Sequence, residues 1–321
     1  MSKLRVGVVR GGPGSEYYVS LKTGGSVLAA LSPNEYDARD VLITNDGQWH
    51  IDGVPTTPEK LARSIDVAFN ALHGEFGEDG KIQKIFDIFG VPYTGSTVVP
   101  SAVGMNKELA KRRFAAVGIK VPRAVSVSSG DETDDVLREI RSELRSPYIV
   151  KPASSGSSVG VSFARTEDEL ISALERALAY GDKALVEEYI RGREITVGVV
   201  DAKNGGGSYL LPPLEVFLPD GALFDYQAKY GDNTYRAEPA HLSGDEYSAI
   251  ERAVSRAHKS LGVRHYARYD FILADDGAYL LEVNTLPALM DGALLPRALT
   301  LHDLSMPDFV DYVISLALQE K

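Results

Sequence analysis

The 321-residue chain has no cysteine, which removes disulfides, thiolate metal sites and cysteine nucleophiles together. No stretch approaches the roughly 18 uninterrupted apolar residues that a spanning helix needs, so a membrane is not an expected partner. Positive charge is in deficit. The 34 Lys and Arg stand against 45 Asp and Glu, a net charge of −11, so the molecule repels polyanions and no nucleic-acid partner is expected. Any nucleotide it binds must meet local cations. Met1-Ser2-Lys3-Leu4-Arg5 runs into a strand-like segment without the apolar core and cleavage site of a signal peptide, and the expected location is cytoplasmic. Repeats and low-complexity tracts are lacking too; Asn204-Gly205-Gly206-Gly207-Ser208 reads as a turn between two strands.

What is there is the composition of an ordinary globular protein, 44% hydrophobic and 25% charged. At roughly 150 residues per domain the length gives about two domains, three if they are small. The first hundred or so residues alternate apolar runs with amphipathic stretches, the rhythm of a parallel α/β sheet. The first run ends in Gly11-Gly12-Pro13-Gly14-Ser15-Glu16, a glycine turn at the carboxyl end of a strand, where ligands gather. G-x-G-x-x-G is missing, which argues against a dinucleotide fold. A second unit, α+β, begins near Ser101 with helices over 107–117, 132–144 and 166–180 and strands over 121–127, 148–151 and 184–190. The remainder carries strands over 194–200 and 209–216, a loop-like region over 224–240, a helix over 244–261 and a hairpin over 266–285. The expected fold class is therefore mixed, α/β and α+β, in units 1–102, 103–190 and 191–321.

The hairpin is the most informative piece. A three-residue loop Asp275-Asp276-Gly277 wants its glycine left-handed. That loop sets Asp270 opposite Glu282 and Arg268 opposite Asn284, all on one side of the ribbon. Two carboxylates about 5 Å apart are destabilising unless something positive lies between them. Asp, Glu and Asn offer only oxygen, so the fitting cation is hard, Mg²⁺ or Mn²⁺, of the kind that accompanies nucleotide phosphates. The second piece runs from Lys151 through Pro152, Ala153, Ser154, Ser155, Gly156, Ser157, Ser158 and Val159 to Gly160. A small-residue loop at a strand end lets backbone N–H groups approach phosphate oxygens while Lys151 adds a point charge, although it is not a Walker motif. Further on, Glu187-Glu188-Tyr189-Ile190 and then Glu194 place an apolar edge beside carboxylates able to accept from an adenine amino group and ribose hydroxyls.

Taken together these pieces resemble the ATP-grasp layout, and the resemblance narrows. Residues 11–20 (GGPGSEYYVS), 73–83 (HGEFGEDGKIQ), 92–96 (PYTGS), 105–111 (MNKELAK), 151–160, 224–230 (FDYQAKY) and 282–287 (EVNTLP) are similar, in order and nearly end to end, to the D-alanine-D-alanine ligase family. The resemblance implies an ATP-grasp fold with an amino-terminal Rossmann-like parallel-sheet domain, a small central domain and a carboxy-terminal domain bearing the metal site. It implies that ATP phosphorylates one D-alanine carboxylate to an acyl phosphate, which the amine of a second D-alanine attacks, giving D-alanyl-D-alanine, ADP and phosphate for peptidoglycan synthesis. Phosphoryl transfer is mostly positioning and charge neutralisation. Asp270, Glu282 and Asn284 would hold one or two metal ions, Lys107, Lys151, Ser157 and Ser158 would meet the phosphates, and Lys229 the transferring group. Glu187, Glu188, Tyr189 and Ile190 would face adenine with Phe224 nearby, and Glu194 would take the ribose. Glu16, with Ser157 and Tyr230, would receive the first substrate's ammonium, and His73 would lie near its carboxylate. Arg268 and the Ala288 amide would face the oxyanion of the tetrahedral intermediate. Tyr230, where ester-forming relatives tend to carry histidine, favours an amine acceptor. A homodimer through the amino-terminal region is implied as well.

Departures from the family pattern cluster around the second substrate. Ala293 stands where a serine hydroxyl normally grips that substrate's carboxylate, leaving the Leu294 amide. A hydrogen bond to a charged group is worth about 1.5–3 kcal/mol. Met290 and Asp291 alter the wall further, Ala288 replaces a glycine, and Tyr17-Tyr18 departs from the usual pair after Glu16. The expectation is D-alanine-D-alanine ligation; the alternatives are an amino acid ligase with another acceptor amine and a nucleotide-binding regulator without turnover.

Overall fold

The computed structural model describes residues 3–154, 160–218 and 235–319. The first of its sheets contains β1 (Leu4–Gly11), β2 (Tyr36–Ile43), β3 (Trp49–Ile51), β4 (Val54–Thr56) and β5 (Val67–Asn70), in the order β4-β3-β2-β1-β5. β1 runs parallel to β2 and β5, and its Val6, Val8 and Val9 are fully buried, the unbroken apolar run that a sheet covered on both faces requires. The sheet is not wholly parallel as expected. β3 and β4 add an antiparallel hairpin that turns at Asp52-Gly53 with φ of +50° and +80°. Asp-Gly is the local signal for such a turn, but strands of three residues are too short for alternation to show. Helices α1 (Tyr17–Ala30), α2 (Pro58–Ser64), α3 (Gly74–Gly77), α4 (Lys81–Phe89) and α5 (Val98–Met105) accompany this sheet.

The second sheet is antiparallel, in the order β6-β9-β7-β8, from β6 (Ala124–Ser128), β7 (Tyr148–Pro152), β8 (Ser162–Ala164) and β9 (Lys183–Glu188). α7 (Thr133–Glu143) and α8 (Glu167–Leu178) belong with it, whereas α6 (Lys107–Ala116) packs Ala110 and Phe114 into a different core, with Tyr269, Phe271 and Leu280. Val150 and Val186 pack in one core with Ile140, Leu170 and Leu174 of α7 and α8. Alternation along the strands then turns Ile149, Lys151, Leu185 and Glu187 to the opposite face.

The third sheet runs β13-β12-β10-β14-β15, with β11 beside β10, from β10 (Arg193–Asp201), β11 (Ser208–Leu210), β12 (Leu214–Phe217), β13 (Arg236–Pro239), β14 (Tyr266–Ala274) and β15 (Gly277–Asn284). The single strand expected over 209–216 is broken into β11 and β12, because Pro212 and Pro213 have no N–H for the ladder. β13 lies inside the expected loop over 224–240 and pairs with β12. α9 (Gly244–Leu261) covers one face, and α10 (Leu294–Thr300) and α11 (Met306–Gln319) complete the chain. α9 starts with a capping box between Ser243 and Glu246 and stops at Gly262 with φ +71°. Tyr269, Phe271 and Leu273 pack in the core with Ile250, Val254 and Ala257 of α9. Arg268, Asp270 and Ile272 therefore face the other way, toward the second sheet. Among the described residues no helix is long and apolar enough to cross a membrane.

Candidate active site

Between the free faces of the second and third sheets lies a cavity of about 420 Å³. Lys107, Lys151, Glu187, Glu188, Tyr189, Ile190, Glu194, Asp270 and Glu282 all line it, so nine of the residues singled out in the sequence share one wall or another. Ser157, Ser158, Phe224, Lys229 and Tyr230 lie outside the described residues. Lys107 is placed by Asn106, whose side chain caps α6 by accepting from the Leu109 N–H. Its ammonium sits 3.4 Å from Glu282, and that of Lys151 sits 2.8 Å from Glu187.

The hairpin reaches its expected pairing by an unexpected route. Its turn has two residues, not three: Ala274 pairs with Gly277. One extra residue, Leu281, then bulges between the pairs Phe271–Leu280 and Asp270–Glu282, restoring Asp270 opposite Glu282 and Arg268 opposite Asn284. A bulge turns two successive side chains to one side, and Leu281 and Glu282 both line the cavity.

The acidic pair is not held together by a metal alone, as the sequence suggested. Arg268 clasps Asp270 with Nε to Oδ1 at 2.9 Å and Nη2 to Oδ2 at 2.8 Å, Thr196 donates at 2.6 Å and Asn284 Nδ2 at 3.1 Å. Together with Lys107 beside Glu282, these cations balance both carboxylates. A carboxylate offers about four lone-pair positions, so a cation reaching Asp270 has to displace one donor. Asn284 is suited to yield, since turning its amide presents Oδ1 instead. The donor set, two carboxylates and an amide oxygen, fits a hard divalent ion.

The remaining predicted residues gather around the amino end of α1. Glu16 precedes that helix and is 4% exposed. It packs so closely on Gly74, whose φ is +60°, that a Cβ there would lie 2.5 Å from its carboxylate. His73 contacts the chain through both ring nitrogens: Nε2 lies 2.8 Å from Thr23 Oγ1 and Nδ1 2.9 Å from the Leu286 carbonyl. A carbonyl only accepts, so Nδ1 carries the proton and Nε2 accepts. Thr23 Oγ1 in turn accepts from the Leu289 N–H at 3.3 Å. Ala288 and Ala293 form a small apolar cluster with Val19 and Met290, and Ala293 stands at the N-cap of α10 without a side-chain cap bond. Arg268 connects the two regions: it holds Asp270 on the cavity wall, its charge adds to burial in lowering the proton affinity of His73, and it only partly offsets the burial that raises that of Glu78.

Burial pushes the His73 pKa down to about 4, against the pull of the Leu286 carbonyl. The unfolded chain takes a proton near pH 6.5 that the folded state refuses until about 4. Stability is therefore lost as pH falls through that window, at up to roughly 1.4 kcal/mol per pH unit. Urea unfolding of the wild type from pH 7 to 4.5 should lose more stability than that of His73→Gln; equal losses would refute the neutral assignment.

Sequence reasoning missed Thr196, Lys111 and Glu78. Thr196 faces Asp270 across β10 and β14, a pairing with no local signature. Lys111 is buried, 3.0 Å from Glu187, and its spacing of four from Lys107 was a usable signal. Glu78 accepts from the Gly74 and Leu286 amides and the Thr285 hydroxyl, tying the 73–80 segment to the end of β15.

Fold and cavity define the class: an ATP-grasp enzyme, in which a nucleotide lies between two antiparallel sheets. Comparison with known proteins narrows it. The family models described as D-ala D-ala ligase C-terminus and N-terminus match residues 114–315 and 52–96. The D-alanine–D-alanine ligase of Geotalea uraniireducens is 38% identical over 98% of this chain and 95% of its own length. Among solved structures, the ATP complex of D-alanine–D-alanine ligase from Bacillus anthracis has a TM-score of 0.82 at 29% identity, covering 98% of both chains. VanG D-Ala:D-Ser ligase from Enterococcus faecalis has a TM-score of 0.87 at 26% identity, covering 98% of this chain and 100% of its own. The chain belongs to the D-alanine–D-alanine ligase family.

Proposed function

We infer that this enzyme joins two molecules of D-alanine at the expense of ATP, through an acyl phosphate, releasing ADP, phosphate and the dipeptide for peptidoglycan synthesis. What supports the reading most is the cavity that brings Lys107 and Lys151 together with Asp270 and Glu282, the cations and carboxylates a metal-bound triphosphate requires. Within it, Lys107 and Lys151 hold phosphate oxygens, the stretch 187–190 faces adenine and Glu194 takes the ribose. Asp270, Glu282 and Asn284 would hold a divalent ion, Mg²⁺ or Mn²⁺, which would supply positive charge to the phosphates. Arg268 and the Ala288 amide meet the oxyanion, and Glu16 receives the first substrate's ammonium. Because both nitrogens of His73 are engaged by the chain, its part is to hold Thr23 and the 286–289 segment in place rather than to exchange protons. Homodimer formation and cytoplasmic location belong to the same proposal.

Phosphate release tests the reading directly. Release on ATP with D-alanine alone supports it; release only when a different amine is added would favour another acceptor, a reading that gains no specific support from the relatives; none with any amino acid would leave a regulator. Ala293→Ser should lower the acceptor KM roughly ten- to a hundredfold, the worth of a hydrogen bond to a carboxylate. The same hydroxyl caps α10, so Tm rises too; a higher Tm with an unchanged KM would refute the acceptor role of this position.

A further inference from the structure

Lys111 lies one turn beyond Lys107 on α6, and the reaction as read above gives it no task. It is 5% exposed and is not among the residues lining the cavity. Its Nζ is 3.0 Å from Glu187 Oε1, while Nζ of Lys151, which does line the cavity, is 2.8 Å from Oε2 of the same carboxylate. The Pro122 carbonyl, 3.5 Å away, receives it from the chain that leads into β6. One carboxylate is thus shared by two ammonium groups, one inside the cavity and one behind its wall.

We propose that Lys111 is a positioning residue for the nucleotide: it neutralises Glu187 from outside the cavity, so that Lys151 keeps its charge for the phosphates and Glu187 stays aimed at the base. The inference rests on the ATP reading above. With Lys111 charged, Lys111, Lys151 and Glu187 sum to one positive charge, which an anionic ligand can use. Without it, Lys151 and Glu187 form a neutral buried pair, and a triphosphate must pull that pair apart to gain the lysine. Separating buried, hydrogen-bonded charges is unfavourable because neither is left in water. Glu187 shows the balance of these forces. Burial alone would push its carboxyl up, yet Lys111 and Lys151 together hold it below the usual carboxylate range.

Lys111 is itself under strain of the same kind. Burial drags its pKa down to about 8 despite the pull of Glu187, and Lys151 drags it further while Glu282 opposes. Those three face it from β9, β7 and β15, and Lys107 is its neighbour on α6. As pH rises through 8 the ammonium is lost, so ATP binding weakens on the alkaline side.

Steady-state kinetics on the full-length enzyme test this. Lys111→Met should raise the KM for ATP tenfold or more while kcat and the KM for D-alanine stay within about twofold. Glu187→Gln removes the charge that Lys111 balances, so adding Lys111→Met to that variant should raise the ATP KM less than twofold further. A Lys111→Met enzyme with lowered Tm and unchanged ATP KM would show a role in folding only and overturn the proposal. Should that variant not fold, the wild type decides at saturating D-alanine: the ATP KM should climb between pH 7 and 9.5, and a flat profile overturns the proposal. A wild type without ATP turnover overturns the ligase reading along with it, whereas a working enzyme whose ATP KM ignores Lys111 overturns this inference alone.

Discussion

Arg268→Met lowers kcat at least a hundredfold, the usual effect of removing one preorganised donor from a developing oxyanion. The loss has a second part, because Asp270 is 3% exposed and Arg268 supplies two of the four hydrogen bonds described above. Breaking a buried pair by deleting one partner costs about 3–5 kcal/mol, so the variant should also unfold at a lower temperature. The two parts separate in Arg268→Lys. Lysine keeps the charge but not the fork that matches a carboxylate, so most of the Tm should return while kcat stays low. Wild-type kcat in the methionine variant would remove Arg268 from the chemistry.

Glu282→Gln should produce a comparable loss of turnover with little change in Tm. The amide is nearly the same shape, and the side chain of Glu282 is 16% exposed beside Lys107, so the fold loses one partly solvated ion pair. A divalent ion loses half of its anionic ligands, since Asn284 contributes no charge. We expect at least a hundredfold lower kcat and a marked rise in the metal concentration needed for half-maximal rate, measured by phosphate release. Full activity in this variant would defeat the metal assignment.

Much of this site was legible in the chain because its parts are local. α9 could be drawn residue for residue, since Ser243, Glu246 and Gly262 announce both of its ends. Lys151 and Glu187 sit near the ends of strands whose apolar period is visible, and alternation then sends them to the cavity, while Lys107 opens the helix α6. The hairpin teaches a different lesson. Its tip was read as one residue too long and its ladder as free of bulges; Leu281 cancels the first error with the second, so Asp270 and Glu282 meet for a reason the pattern did not contain. What stayed hidden depends on residues far apart in sequence. The partners of His73 on Leu286 and of Asp270 on Thr196 are separated by 213 and 74 positions. No periodicity specifies such contacts: strand pairing within the third sheet brings Thr196 to Asp270, and packing of the first sheet's segment on the end of β15 brings His73 to Leu286.

The hydrogen-bonded chain from Leu289 through Thr23 and His73 to Leu286, with Glu78 alongside, joins the first sheet to the strand end that bears Asn284. Arg264 adds to that seam by donating to the Gly95 carbonyl at 2.8 Å. Amino- and carboxy-terminal parts so stitched travel as a single jaw. Any opening of the mouth to a nucleotide then falls between that jaw, which holds Lys107 and Glu282 together through α6 and β15, and the four-stranded sheet.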